Sequence, residues 1–484
     1  MSASAAPSVP CQPIHESLRI AGEKVRTERI MEVRHPYSGE LIGTVPKAGL
    51  DDVKRALSIA RGFKPTLMRH ERYQILMKAG AIIASRRADL AHLITLESGL
   101  CLKDSQYEVG RASDVLLFSA NLALVDDGQV FSCDLTAHGK SRKVYTLKEP
   151  LLGAIAAITP FNHPLNQVIH KVAPAVATNN RVVLKPSEKT PLTAFALADI
   201  LYDAGLPPEM LSVLTGDPAE IADELLTSAD VDLITFTGGV PIGKYIAAKA
   251  VYKRQVLELG GNDPLIVLED ADIEEAAALA VSGSYKNSGQ RCTAVKRMLI
   301  QESVADRFVE LLVEKTRAVK YGDPFDPAMD MGTVIDEASA RRFEAVVNEA
   351  VADGAQLLTG NIRRGALYSP TVLDRVTPNM TVVRHETFGP VSPVIRFKTV
   401  DEAIRISNGT AYGLSSSLCT NRMDMITRFV RELHVGSVNV REVPGYRLEI
   451  TPFGGIKDSG LGFKEGVLEA MKSYCNTKTY SLPW

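Results

Sequence analysis

The sequence predicts an α/β protein made of two doubly wound parallel-sheet domains plus a small β arm, and three observations carry that prediction. Short apolar runs bounded by Gly or Pro alternate with amphipathic segments across residues 151–260, the pattern of a parallel sheet covered by helices. A second series of the same kind runs from Pro264 to about residue 440. Two stretches outside both series, around 128–149 and in the tail, alternate with period two, as strands do. With 484 residues, the chain is long enough to bury several cores at roughly 150 residues per domain.

The elements follow in order. Residues 1–29 open on a Pro/Ser/Ala-rich stretch and are expected to form a mobile lead. From 51 to 125, DDVKRALSIARGF and ERYQILMKAGAIIASRRADLAHLITLESG place apolar residues at helical spacing, with Asp51 and Asp52 as the expected N-terminal caps. The period then drops to two in GQVFSCDL and RKVYTLKE around Thr136, a hairpin suited to reaching a neighbouring subunit. Strand-like LGAIAAIT, RVVLKP, LSVLTG, DLITFTG and QVLELGG next alternate with helical NQVIHKVAPAVATN, TAFALADILYDAG and PIGKYIAAKA. PLIVLED, SVADRFVELLVEKTRAV and ARRFEAVVNEAVADG begin the second series. The tail MKSYCNTKTYSL needs another strand to pair with. The expected division is therefore 30–127 with 150–258, then 259–450, with 128–149 and 460–484 as the arm.

Composition narrows the function. With 55 basic against 57 acidic residues and a net charge of −2, the chain has no electrostatic footprint for nucleic acid or a membrane surface. No apolar run approaches the ~18 residues of a spanning helix, and the N-terminus lacks a basic start and an apolar core segment, so a cytoplasmic protein is expected. The six cysteines are scattered without a C-x-x-C, which suggests neither a disulfide framework nor a metal site.

The chemistry centres on KNSGQRCTAVKR, residues 286–297, where Cys292 follows a small polar run and an arginine. A thiol attacks a carbonyl only as thiolate, and Arg291, Lys286 and Lys296 are placed to lower its pKa. Alone, the segment reads equally well as a small buried core cysteine. Asn162 lies in the Pro-bounded loop Thr159–Pro164, after a strand, where its amide can meet a developing oxyanion or merely satisfy a turn. Glu258 closes the apolar strand VLELGG, where a carboxylate is paired, raised in pKa or on the surface. The strand–Gly–helix junction at Thr237, Gly238, Gly239 and Gly243 suits a phosphate, although G-x-G-x-x-G spacing is absent. Lys185, Ser187 and Glu188 sit at the end of RVVL, where ribose hydroxyls commonly bind, or form a solvated pair.

The order of PFNHP, KPSEKTPL, FTGG with a later G, LELGGNDP, GQRC, HETFGPV and PFGGIKDSGLG strongly resembles the aldehyde dehydrogenase superfamily, from about residue 30 to the end. The resemblance implies an NAD-binding domain (30–127 and 150–258), a catalytic domain (259–450) and an oligomerisation arm supporting a homodimer or homotetramer. It implies Cys292 as nucleophile, Asn162 with the Cys292 backbone N–H as oxyanion hole, and Glu258 as general base. Lys185, Ser187 and Glu188 then hold the adenine ribose, Thr237, Gly238, Gly239 and Gly243 lie by the pyrophosphate, and Glu386 with Phe388 places the nicotinamide. Gly239 departs from the serine usual there. A carboxylate at 188 favours NAD, with NADP served more weakly.

Arg291, Arg441, Arg447 and Arg111, with His163 beside the oxyanion asparagine, point to an anionic substrate. GQRCTAVKR and these arginines resemble members acting on phosphonylated or phosphorylated short aldehydes. Phosphonoacetaldehyde is the expected substrate, with glyceraldehyde 3-phosphate and succinic semialdehyde as alternatives. A catalytically idle relative with a structural or binding role is the alternative of a different class.

Overall fold

The computed structural model describes residues 12–125 and 128–483. Two seven-stranded sheets organise the chain. In the first, Arg254–Glu258, Val231–Thr237, Ala154–Ile158, Val182–Lys185 and Leu211–Val213 lie side by side in parallel, and the hairpin Leu18–Ile20/Glu23–Val25 extends the edge antiparallel. Both faces are buried, which is why these strands read as continuous apolar runs. Alternate residues go to opposite sides: Ile155 and Ala157 pack in the core with the helices Leu102–Val125, Asn166–Ala177 and Leu192–Asp203, whereas Ala154 and Ala156 pack with Leu50–Gly62, Pro218–Thr227 and Val240–Ala250.

The second sheet runs Thr371–Asp374, Val391–Phe397, Arg297–Gln301, Pro264–Val267, Ser415–Cys419, Ser437–Val440 in parallel, with Gln356–Thr359 antiparallel at one edge. Ile266, Leu299 and Ile395 face one core, Leu265, Met298 and Val394 the other. The fold class is as expected from the two alternating series.

Three boundaries differ. The expected mobile lead, where residues 1–11 lie outside the described residues, is structured from Ile14: Ile14–His15 pairs with Leu41–Pro46, and Arg19 pairs with Val213. Leu18 and Ile20 are buried, and a stretch that buries apolar side chains while completing a sheet edge stays ordered. Residues 467–473 form a helix, not arm: Val467, Ala470 and Met471 belong to the first core. The arm itself consists of Val130–Ser132, Lys143–Pro150 and Cys475–Leu482, the last two in antiparallel register over eight residues. Finally, the cap of Leu50–Gly62 is Gly49, whose N–H donates to the Asp52 carboxylate at 2.9 Å. Asp52 works from the third helical position.

Among the described residues, no helix is long and apolar enough to cross a membrane.

Candidate active site

The strand ends Ile158, Lys185, Thr237 and Glu258 open at the same carboxyl edge of the first sheet, where ligands of open α/β sheets bind. Cys292 faces that edge from the second domain. Before it the backbone turns through three consecutive left-handed residues, Asn287, Ser288 and Gly289 (φ 59°, 54° and 70°). Non-glycine residues hold such angles only when their surroundings over-determine them. Here the Asn287 N–H donates to the Asp104 carboxylate at 2.7 Å, and its side-chain amide donates to the Asn162 carbonyl at 2.8 Å. The Asn162 amide returns a bond to the Gln290 carbonyl at 2.8 Å. Nucleophile loop and oxyanion loop are thus laced together, and one Asn162 N–H remains for a substrate oxygen.

Burial pushes the Cys292 thiol up to about 11, with Lys296 opposing. This corrects the expectation of three activating cations. Lys286 turns away, its ammonium lying 3.2 Å from the centre of the Tyr107 ring. Lys296 instead bridges the Gly261 and Cys292 carbonyls at 2.7 and 2.6 Å and the Glu386 carboxylate at 2.7 Å. A thiol this weakly acidic needs a proton acceptor.

Glu258 fits that need. It is buried, and neither carboxylate oxygen has a hydrogen-bond partner. Burial and then the Glu465 carboxylate raise its pKa well above the ordinary range, against Arg447, Lys171 and Lys464. Gly454 keeps it room, since a Cβ there would stand 2.5 Å from Oε1. Such a group is suited to general base work near neutrality.

A cavity of about 690 Å³ connects these groups, lined by Asn162, Lys185, Ser187, Glu188, Thr237, Gly238, Gly239, Glu258, Cys292, Glu386 and Phe388. Lys185 and Glu188 form an ion pair in its wall, and the Ser187 hydroxyl accepts from the Lys189 N–H at 3.2 Å. Gly239 caps Val240–Ala250, and the buried Thr237 hydroxyl has no partner. A Cβ at Gly239 would meet only Pro241, at 3.8 Å, so packing does not demand glycine there. Gly243 stands against the Leu259 side chain, outside the cavity lining, and keeps the helix close to the strand. Phe388, held at φ 55°, meets Phe161 edge-on at 5.8 Å. The orphan hydroxyl, the helix N-terminus and the paired Lys185 and Glu188 along one elongated cavity fit a dinucleotide.

Three of the four arginines are grouped through Cys292 and Glu449: Arg291 and Arg447 act on Cys292, and Arg111 and Arg447 on Glu449. Arg111 donates Nε–H to Glu449, and its other donors have no partner among the described residues. Arg291 donates to the Gly283 carbonyl at 2.7 Å, but its buried Nε has no partner. Burial lowers its pKa, and it feels Asp104, Cys292 and Arg111. Arg447 stacks on Phe453 at 3.9 Å with Nη1 buried and unpaired. His163 stands 3.4 Å from Glu108. Arg441 is not with them. It follows the edge strand Ser437–Val440 with a left-handed backbone (φ 52°), is half-exposed, and pairs with Glu275 at 2.9 Å and Asn421 at 3.1 Å.

Several site residues escaped sequence reasoning. Asp104 and Glu108 are buried on the helix Leu102–Val125, in line with its apolar face at Ala112 and Val115. Glu108 accepts from the Leu165 and Asn166 N–H groups at 2.8 and 3.0 Å, so one helix positions both loops. Acidic residues at four-residue spacing on an apolar stripe were the available signal. Glu449 had none. Burial alone would raise its pKa, but the 2.5 Å hydrogen bond with His170 and the charges of Arg111 and Arg447 hold it below the usual carboxylate range.

The profile of the Aldehyde dehydrogenase family matches residues 23–480. The chain is 40% identical over 450 residues to the 3-sulfolactaldehyde dehydrogenase of Priestia megaterium, covering 93% of this chain and 94% of that one. Among solved structures, it matches the NADP-dependent glyceraldehyde-3-phosphate dehydrogenase of Bacillus halodurans complexed with NADP, at 37% identity and TM-score 0.94 over 97% and 99% of the two chains. It also matches an NAD-dependent aldehyde dehydrogenase of Sinorhizobium meliloti, at 32% identity and TM-score 0.93 over 99% and 97%.

Proposed function

This chain belongs to the aldehyde dehydrogenase family, and from that premise we propose that it oxidises a short anionic aldehyde to its carboxylate. The substrate proposed is phosphonoacetaldehyde, giving phosphonoacetate. The observation that carries this reading is that Arg291 Nε and Arg447 Nη1 are buried without a hydrogen-bond partner near the nucleophile. Buried donors without partners are costly, and a phosphonate would satisfy them with charge-assisted bonds.

Glu258 accepts the thiol proton, directly or through water, and the Cys292 thiolate adds to the aldehyde carbon. The free Asn162 amide N–H and the Cys292 backbone N–H receive the oxyanion. Lys185, Ser187, Glu188, Thr237, Gly238, Gly239, Glu386 and Phe388 would hold NAD along the cavity, where the cofactor would supply the hydride acceptor for the Cys292 adduct. Once its proton has passed to solvent, the Glu258 carboxylate activates the water that hydrolyses the Cys292 thioester, and the Cys292 thiolate leaves. Glu188 would accept from a free ribose hydroxyl and repel a phosphate at that position, which supports NAD with NADP weaker. A cytoplasmic setting keeps Cys292 reduced. The exposed Val130, Phe131, Leu135 and Tyr480 of the arm suit assembly into a homodimer or homotetramer.

A second reading is a sulfonylated aldehyde, favoured by the 40% identity to a 3-sulfolactaldehyde dehydrogenase. Formation of reduced cofactor from phosphonoacetaldehyde, 3-sulfolactaldehyde, glyceraldehyde 3-phosphate, succinic semialdehyde and betaine aldehyde, each with NAD and NADP, tests both. Phosphonoacetaldehyde with NAD should have the highest kcat/KM. A preference for the cationic betaine aldehyde would overturn the anionic reading.

A further inference from the structure

Lys286 has no function in the chemistry above, yet its position is closely defined. It opens the left-handed turn that leads to Cys292. Its ammonium lies 3.2 Å from the centre of the Tyr107 ring, and the Arg111 guanidinium addresses the same ring at 6.0 Å. No carboxylate comes within ion-pair distance of Lys286 among the described residues. The strongest attraction it feels comes from Asp104, which already accepts from Asn287, and Arg291 and Arg111 repel it. Burial lowers its pKa, with that repulsion adding to it. An ammonium seated on an aromatic face is fixed in place while its N–H donors stay free.

Of the four cations Arg111, Arg291, Arg447 and Lys286, only Arg111 has an ion-pair partner among the described residues. Arg111 has Glu449 as counter-ion, and that carboxylate is shared with His170. Lys286 sits one helical turn from where Asp104 ties the loop, since Asp104, Tyr107 and Arg111 follow one another along one helix at three- and four-residue spacing.

We propose that Lys286, seated on Tyr107, is a specificity-determining residue that contacts the anionic head of the aldehyde and favours a doubly charged head over a singly charged one. The proposal rests on the anionic-aldehyde reading. An added cation interacts with a head in proportion to the head's charge, so a phosphonate gains more than a carboxylate or sulfonate. An ammonium, unlike a guanidinium, demands no fixed planar geometry of its partner.

The experiment compares Lys286→Met, Lys286→Arg and Arg447→Ala with the parent enzyme, measuring kcat and KM for phosphonoacetaldehyde, succinic semialdehyde and propanal. Calorimetric binding of phosphonoacetate gives a readout independent of turnover. With Lys286→Met, the kcat/KM ratio of phosphonoacetaldehyde to propanal should fall by roughly 10- to 100-fold, mostly through KM, and the ratio of succinic semialdehyde to propanal by less. Phosphonoacetate binding should weaken in parallel, and Lys286→Arg should recover most of both losses. If Arg447→Ala lowers the phosphonate-to-propanal ratio while Lys286→Met leaves it unchanged, the role of Lys286 is overturned and the anionic reading stands. If neither variant changes the ratio, both fall. Equal losses on all three substrates with Lys286→Met would make the residue structural and also overturn the proposal.

Discussion

The Asp104 carboxylate accepts a hydrogen bond from the Asn287 backbone N–H at 2.7 Å, so the helix that carries Arg111 also holds the left-handed turn that delivers Cys292. Asp104→Ala leaves that buried N–H unpaired, at a cost of about 1–3 kcal/mol. The expected outcome is a kcat lower by roughly 10-fold or more, with dinucleotide affinity retained, as read by steady-state kinetics and fluorescence titration. Asp104→Asn keeps an acceptor oxygen and should recover most of the rate. A similar loss in both variants would mean that the negative charge matters and the hydrogen bond does not.

The Cys292 thiol, pushed up to about 11 by burial, should be slow to alkylate at neutral pH in cofactor-free enzyme. Below its pKa the thiolate fraction rises about tenfold per pH unit, so the iodoacetamide rate at Cys292 should climb steadily from pH 7 to about pH 10 without levelling. A plateau near pH 7 would show an activated thiolate in the resting enzyme. Cys292→Ala should abolish turnover and leave NAD binding intact.

Glu258 has a raised pKa because its carboxyl is buried beside Glu465. A raised folded-state pKa means that the base is protonated at low pH and becomes competent only as pH rises through that pKa. The acid limb of kcat should therefore lie well above the usual carboxylate range. Glu258→Gln should slow acylation as well as thioester hydrolysis, so the pre-steady-state burst of NADH should be lost together with steady turnover. A burst retained at full rate would confine Glu258 to activating the hydrolytic water and overturn its role in deprotonating Cys292.

Arg441 and Arg447 should separate cleanly. Arg447 has a buried unpaired Nη1 near Cys292, whereas Arg441 forms a half-exposed ion pair with Glu275. Exposed pairs contribute about 0–1 kcal/mol, so Arg441→Ala should change kcat/KM for phosphonoacetaldehyde by less than about fivefold. Arg447→Ala should lower it by roughly 30- to 3,000-fold. Comparable losses in both would place Arg441 on the substrate path after all.

Local pattern was enough to read the two parallel sheets, because a strand buried on both faces must be apolar along its length and its covering helices must be amphipathic. Ala154–Ile158 and Val231–Thr237 are of this kind. Motif order likewise pointed to Cys292, Asn162, Glu258 and the cavity residues. The ends of the chain take their order from distant partners, which their own residues do not announce: Leu18 and Ile20 pack in the core with Ala154 and Ala156, and Val467, Ala470 and Met471 in the core on the other face of the sheet, with Ile155 and Ala157. Four arginines were indistinguishable as letters. Only tertiary structure decided that Arg111, Arg291 and Arg447 converge while Arg441 leaves for Glu275, that Lys286 lies on Tyr107, and that Asp104, Glu108 and Glu449 brace the site. A charged side chain's role depends on which counter-charge lies within a few ångströms, and that distance is set by packing between segments far apart in the chain.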